Sequence, residues 1–366
     1  MDYHHSPPKK ICIIRFSSIG DVCHAVASVQ AIQSRWPQAR ITWIIGKSEY
    51  ELVKGLADIE FIVFDKRAGL EAYRSLKQQL LNREFDILLH MQVSIRASLA
   101  SLCVKARERW GFDRARAREL QWLFTNRKIV SQKEPHVADG FLAFAKAIGV
   151  SESHSLQWTM PLDMKELTWF DKRFSSLNRY IVICPAASEP ERNWPVERYA
   201  AVARHAVSKG FEVVLCGGPS ELESELGEKI VNLAQQKPLN LIGKTNLRQL
   251  LLVLKNAQLL VAPDTGPVHM AVTVDTPVLG LYLHSNPKRT GPYRNREYVV
   301  SHYESMLETQ TGKSVSELPW GKRVKGSGLM KLISVEQVLA MFDKVISDLA
   351  ERKKRDSDSE QDENIS

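Results

Sequence analysis

Lys10–Trp36 reads KICIIRFSSIGDVCHAVASVQAIQSRW, and this stretch decides the fold. Its opening, Lys10–Phe16, is apolar and β-branched, as a strand buried on both faces of a parallel sheet should be. Asp21–Trp36 has helical periodicity, with Val22, Val26, Val29 and Ile32 on one face and Pro37 after its end. A polar turn joins the two. Strand, turn and helix in that order open a β-α-β unit, and the unit recurs outward along the chain. Strands are expected at Arg40–Ile45, Glu60–Phe64 and Phe85–His90. Helices are expected at Glu49–Leu56, Leu70–Leu81, Ser94–Lys105 and Pro135–Ile148. The pattern restarts at Arg179–Cys184 (RYIVIC) and continues as helix Val196–Ser208, strand Phe211–Cys216, helix Glu221–Ala234 and strand Leu239–Ile242. Helix Asn246–Asn256 and strands Leu259–Ala262 and Val278–Tyr282 follow. Such alternation predicts α/β architecture with two doubly wound, Rossmann-like domains, at 1–165 and 166–334, joined through Ser151–Asn178. An amphipathic helix is expected over 335–350, with the first domain as one candidate docking face. The tail 351–366 has a single apolar residue, Ile365, and is expected to be disordered.

Composition narrows the class. At 366 residues the chain is longer than one core usually organises. It is 44% hydrophobic and 25% charged, which excludes collagen-like and wholly disordered chains. No apolar run has the length of a membrane span, and Met1–Lys10 lacks a signal-peptide core. Five scattered cysteines, Cys12, Cys23, Cys103, Cys184 and Cys216, fit a reducing cytoplasm better than a disulfide scaffold. The net charge of +8 favours anionic partners. Between Arg96 and Lys128, nine Lys/Arg stand against three acids, Glu108, Asp113 and Glu119. That run is either a solvated face or an anion-binding surface.

Ligands of open α/β sheets bind beyond the carboxyl ends of the strands. Three such exits stand out. The first is Arg15-Phe16-Ser17-Ser18-Ile19-Gly20-Asp21, where Ser17, Ser18 and Gly20 suit an anion and Asp21 is either a helix cap or a base. It is no dinucleotide fingerprint, because Gly20 stands alone. The second is Pro263-Asp264-Thr265-Gly266-Pro267-Val268-His269-Met270-Ala271, with a carboxylate, then Thr-Gly, then Pro at the first helical position. Thr265 and the amide of Gly266 suit a phosphate, or form an ordinary cap; His269 is a packed residue or a ligand contact. The third, Pro185–Pro195, ends in Arg-Asn-Trp-Pro and offers Arg192 to a diphosphate. A weaker exit, Gly217–Glu221, offers Glu221 to ribose hydroxyls. Gly46-Lys47-Ser48 and Gly243-Lys244-Thr245 end like P-loops but lack the upstream glycine, and Thr245 reads as an N-cap. Asp356-Ser357-Asp358, in the tail, is the one D-x-D, so no metal clamp for a sugar nucleotide is expected.

These pieces, in this order, resemble the heptosyltransferases of glycosyltransferase family nine. The matching segments are SSIGDVCHA (Ser17–Ala25), the Q-x-x-x-R of Gln92–Arg96, RNWP (Arg192–Pro195), GGPSE (Gly217–Glu221), PDTGPVHMA (Pro263–Ala271) and TPVLGLYLHSNP (Thr276–Pro287). The resemblance covers roughly Lys10–Tyr293. It implies a GT-B fold, with two domains facing across a cleft. It implies metal-independent transfer of heptose, without a cofactor, from ADP-L-glycero-β-D-manno-heptose to the Kdo–lipid A inner core of lipopolysaccharide. That acceptor lies at the cytoplasmic face of the inner membrane, so a peripheral membrane contact is implied and nucleic acid is not. By the same resemblance Asp21 is the catalytic base, the first domain binds acceptor and the second binds donor. Ser17, Ser18, Gly20, Glu221, Asp264, Thr265, Gly266 and His269 then belong to the donor site. Arg192 joins them, where several members have lysine. Gln92, Arg96 and Arg118 belong to the acceptor site, and the basic run around them gains a reason in the acceptor's phosphates and carboxylates. Residues 302–331 depart from the better-known members. Two other readings compete: a nucleotide-linked oxidoreductase on the same architecture, and a basic RNA- or membrane-binding protein using Trp110, Phe112 and Trp122.

Overall fold

β1 (Lys10–Ile14) sits inside a parallel sheet between β2 (Arg40–Gly46) and β4 (Glu84–His90), and its last four residues are buried. The computed structural model describes residues 7–133, 135–151 and 158–363. With β3 (Ile59–Phe64), β5 (Lys105–Gly111) and β6 (Arg127–Lys128), the first sheet has the order β3-β2-β1-β4-β5-β6, every pairing parallel. Its helices are α1 (Ile19–Arg35), α2 (Lys47–Val53), α3 (Leu70–Gln79), α4 (Ile95–Ser101) and α5 (Val137–Ala147). α1 is buried along most of its length, and its Ser28 hydroxyl donates to the carbonyl of Phe141 on α5 at 2.9 Å. That double coverage explains why β1 and α1 are so apolar.

The chain divides into two compact units, Met1–Leu167 and Thr168–Ser366. α6 (Met164–Phe174) occupies part of the stretch read as linker; residues 152–157 of that stretch lie outside the described residues. The second sheet comprises β7 (Tyr180–Ile183), β8 (Glu212–Leu215), β9 (Leu239–Asn240), β10 (Leu260–Pro263), β11 (Val278–Tyr282) and β12 (Val299–Ser301). Its order is β12-β11-β10-β7-β8-β9, again all parallel. α7 (Val196–Ser208), α8 (Glu221–Leu233), α9 (Leu247–Lys255), α10 (Gly266–Val272), α11 (Pro287–Thr290) and α12 (Tyr303–Thr311) complete it with α13 (Val335–Glu363). In both sheets the order of strand addition reverses next to the first strand, at β1/β4 and at β7/β10. A crevice forms at such a reversal, because neighbouring connections leave in opposite directions.

Several expectations are corrected. The helix expected through Lys105 ends at Ser101, and Lys105 starts β5, whose charged sequence KARERWG gives little apolar signal. Asn246, not Thr245, caps α9, accepting from Gln249 N at 2.8 Å. α13 packs within the second unit: Val338, Phe342 and Val345 join a core with Phe211, Tyr298 and Ile333. The last helix, expected over 335–350, continues as α13 through Glu363. No Pro or Gly interrupts the sequence there, and Glu, Lys, Arg and Gln are good helix formers. Residues 364–366 and the side chains of Asp356 and Asp358 lie outside the described residues. Cys12, Cys184 and Cys216 are buried free thiols. No helix among the described residues is long and apolar enough to cross a membrane.

His90, the last residue of β4, is fully buried with Nε2 3.2 Å from Ser98 Oγ and Nδ1 3.3 Å from Gln121 Nε2. Burial first, then the charge of Arg109, lowers its pKa from 6.5 to about 3. Between those values the unfolded chain binds a proton that the folded chain does not, so stability falls as pH drops from 6.5 toward 3. The slope from this one group is at most about 1.4 kcal/mol per pH unit. Acid titration of the folded state, followed by near-ultraviolet dichroism, should show a shallower loss in His90→Gln than in the parent. Equal slopes would remove His90 from the account.

Candidate active site

In each unit, several of the candidate residues meet at the sheet reversal. In the first unit, the β1 exit meets the β4 exit. The backbone amides of Phe16 and Ser17 both donate to Gln92 Oε1, at 2.8 and 3.2 Å. Gln121, fully buried, donates through Nε2 to the carbonyls of His90 (2.9 Å) and Gln92 (3.2 Å). The Gln92 side chain therefore ties the start of the Phe16–Asp21 loop to the β4 exit. Gly46, one of the P-loop-like glycines, donates its amide to Phe16 O at 3.0 Å. A Cβ there would strike that same carbonyl, so the glycine serves close approach of the loop.

Asp21 is the third residue of α1 rather than its opener, and its carboxylate reaches back over the turn. Oδ2 accepts from Ser18 N (3.3 Å) and Ser18 Oγ (3.0 Å) and pairs with Arg15 Nη2. Among the described residues, Oδ1 accepts no hydrogen bond, and the side chain is about 30% exposed. Arg15 is buried, donates through Nη1 to Met91 O at 2.8 Å, and lies over the Phe141 ring at 5.1 Å. Burial pulls its guanidinium pKa down, while the charge of Asp21 pulls it back up. Asp21 is thus both a capping carboxylate and the partner of a buried cation, with one oxygen left over. Gly20 is buried and Ser18 exposed.

Arg96, on α4, and Arg118 are both exposed. They lie on one side of the unit, since Glu119 accepts from Ile95 N at 2.7 Å. Phe112 is half-buried and packs against Phe144 at 4.9 Å; Trp110 donates to Glu108 at 3.0 Å, and Trp122 is exposed.

In the second unit, the β7 exit meets the β10 exit. Arg192, on a single 3-10 turn (Pro190–Arg192), is buried. Its Nη1 lies 3.3 Å from Asp264 O and 3.5 Å from Asp264 Oδ2, and its Nη2 pairs with Glu189 Oε2 at 2.9 Å. Its Nε is buried, with no hydrogen-bond partner among the described residues. Ser285, at the β11 exit, donates its hydroxyl to Asp264 Oδ2. Glu189 also takes two bonds from Arg323 Nη1, at 2.8 and 3.1 Å. Partial burial pushes the Glu189 carboxyl up, but Arg323 and Arg192 together hold it below the usual range. Thr265 precedes α10 without using its side chain as a cap, and Gly266 and Pro267 start the helix. His269 lies on the same short helix, half-buried.

Glu221 is exposed in the first turn of α8. Glu223 is the carboxylate that engages the loop, accepting from Gly218 N and from Ser220 Oγ (3.2 Å). Sequence reading also missed Ser285, Gln121 and Arg323. Only Ser285 carries a visible signal, as a polar residue at a strand exit. Among the described residues, no three His, Cys, Asp or Glu side chains gather as a metal site would require. A shallow cavity lined by Lys9, Lys10, Asp86, Lys105 and Arg107 opens at the amino ends of the strands, away from these loops.

The model of the family described as glycosyltransferase family 9 (heptosyltransferase) matches residues 73–318. The lipopolysaccharide core heptosyltransferase OpsX of Haemophilus influenzae is 43% identical over 338 residues, 92% of this chain and 97% of that protein. Lipopolysaccharide heptosyltransferase 2 of Salmonella typhimurium is 26% identical, covering 80% of this chain and 87% of its own. Among solved structures, a family 9 glycosyl transferase from Veillonella parvula superposes with a TM-score of 0.77 at 21% identity, covering 93% of this chain and 97% of its own. ADP-heptose heptosyltransferase II of Escherichia coli superposes at 0.71 and 22% identity, covering 93% and 99%. The two doubly wound units thus form a fold of the GT-B type.

Proposed function

The chain belongs to glycosyltransferase family 9, and on that premise we propose that it moves heptose from ADP-L-glycero-β-D-manno-heptose to the Kdo/heptose inner core of lipopolysaccharide, with inversion. The 43% identity to a lipopolysaccharide core heptosyltransferase, sustained over 92% of the chain, carries this reading. The two sheet reversals support the division of labour. The first unit (1–165 in the sequence reading) takes the acceptor and the second (166–334) takes ADP-heptose.

In this reading the acceptor hydroxyl attacks the anomeric carbon, ADP leaves, and the hydroxyl proton passes to Asp21 Oδ1. Three interactions on Oδ2 fix the carboxylate, so the remaining oxygen is presented in one orientation. The donor diphosphate takes bonds from Arg192 and Thr265 and from the amide of Gly266, with Asp264 and Ser285 positioning the guanidinium. These cations and dipoles stabilise the negative charge that grows on ADP as the glycosidic bond breaks. Ser17, Ser18, Gly20, Glu221 and His269 complete the donor contacts. No metal ligand and no cofactor enters the scheme. The acceptor is carried by a membrane, so the protein works as a peripheral enzyme at the cytoplasmic face.

Arg96 and Arg118 are assigned to the acceptor's anionic groups, and Gln92 to the loop that faces it. Arg96→Ala and Arg118→Ala should each raise the KM for acceptor more than that for ADP-heptose, in steady-state kinetics with each substrate varied. Equal effects on both would place the two arginines elsewhere. Calorimetry should detect ADP binding and no binding of NAD(P) or random RNA; the reverse pattern would favour the oxidoreductase or the RNA-binding reading.

A further inference from the structure

We propose that an exposed apolar ridge on the first unit, formed by α4 and the turn at 120–123, docks the protein onto an anionic lipid bilayer. The ridge has two rows. Ile95, Leu99 and Leu102 are spaced three and four apart along α4 and its C-cap, and so share one face. Leu120, Trp122 and Leu123 form the second row. All six are exposed, Leu102 at 65% and Trp122 at 58%.

The rows lie side by side because they are tied at both ends. At one end Ile95 N donates to Glu119 at 2.7 Å. At the other, Arg109 bridges them, donating to Ser101 O (2.8 Å) and to Phe124 O (2.9 Å). Glu119 and Leu120 both have positive φ, 50° and 59°. A leucine in the left-handed region with its side chain in water is unfavourable in conformation and in solvation.

The charge around the ridge identifies what covers it. Arg96, Arg114, Arg118, Arg127 and Lys128 are all exposed in this region. Of the three acids among them, Glu108 and Asp113 are buried and Glu119 is spent on Ile95 N. An apolar ridge flanked by cations that make no ion pair among the described residues is complementary to acyl chains beneath anionic headgroups. A protein partner would instead have to supply a matching acidic rim.

The ridge also adjoins the loop that carries Asp21. Gln121, between Leu120 and Trp122, donates to Gln92 O at 3.2 Å, and Gln92 holds the Phe16 and Ser17 amides. Docking would thus place that loop at the bilayer surface, where a lipid-anchored acceptor presents its sugar. In this the proposal rests on the lipopolysaccharide reading and adds the surface by which the acceptor is met.

The test is flotation of the purified protein with vesicles of phosphatidylcholine alone, or mixed with phosphatidylglycerol. The parent protein should float with the anionic vesicles and lose that binding in high salt and on neutral vesicles. The triple variant Leu120→Ser/Trp122→Ala/Leu123→Ser should bind anionic vesicles at least about tenfold more weakly, since one inserted leucine side chain is worth that much. Its dichroism, and its turnover on an acyl-free acceptor sugar, should match the parent's. Undiminished flotation of the triple variant would overturn the proposal, as would a parent that stays in solution. A ridge-dependent dimer without vesicle binding would assign the ridge to a second copy of the chain and overturn it equally. Failure of the parent on the acyl-free acceptor, with flotation intact, would count against the transferase reading alone.

Discussion

Asp21→Asn should fold, retain ADP-heptose binding and lose transfer by roughly 10²–10⁴-fold, the range for a missing general base. The amide is isosteric and keeps an oxygen for the Ser18 amide and hydroxyl, but it accepts no proton at neutral pH. The structure adds a cost that the sequence did not reveal. Arg15 is buried and pairs with Asp21, so neutralising Asp21 leaves a guanidinium without its counter-charge. An exposed pair is worth up to about 1 kcal/mol, and breaking a buried one costs about 3–5 kcal/mol. With Asp21 partly exposed, a loss of about 1–3 kcal/mol is expected between those limits. Thermal denaturation measures that loss, and turnover of the still-folded variant measures the rest. Turnover close to the parent's would reduce Asp21 to a cap and ion-pair partner.

Arg192→Ala should weaken ADP binding by about 1.5–3 kcal/mol, or roughly 10- to 150-fold, as calorimetry would read it. The guanidinium is buried against Asp264 and Glu189. Its removal takes away the phosphate contact and also leaves two carboxylates facing the diphosphate. The effect should therefore fall in the upper part of the range. Arg192→Lys should recover part of it, because the charge returns without the planar fork. Unchanged ADP affinity in Arg192→Ala would separate the β7 exit from donor binding.

The doubly wound pattern was legible because β1, β2, β7 and β10 are buried on both faces and read as continuous apolar runs. β5 was not, because KARERWG becomes a strand by pairing with β4 and β6 rather than by burying apolar side chains. α6 was hidden for a similar reason, as its charged sequence MKELTWFDKRF falls in a stretch that otherwise reads as linker. Of the site, Asp21, Arg192 and Asp264 could be found as charged residues at strand exits. What they touch could not. Gln92 and Gln121 act on backbone groups tens of residues away, and no spacing rule marks such contacts. Glu223 rather than Glu221 engages the β8 exit because the side chain two positions further into α8 turns back over Gly217 and Gly218.

The measurement that tests the account most directly is the mass of the product when the protein is incubated with ADP-heptose and defined Kdo–lipid A acceptors, with Asp21→Asn run beside it. With the parent protein the acceptor should become heavier by one heptosyl residue without added metal, and almost none of that product should form with the folded variant. An unmodified acceptor with the parent protein, or equal product from both, would contradict it.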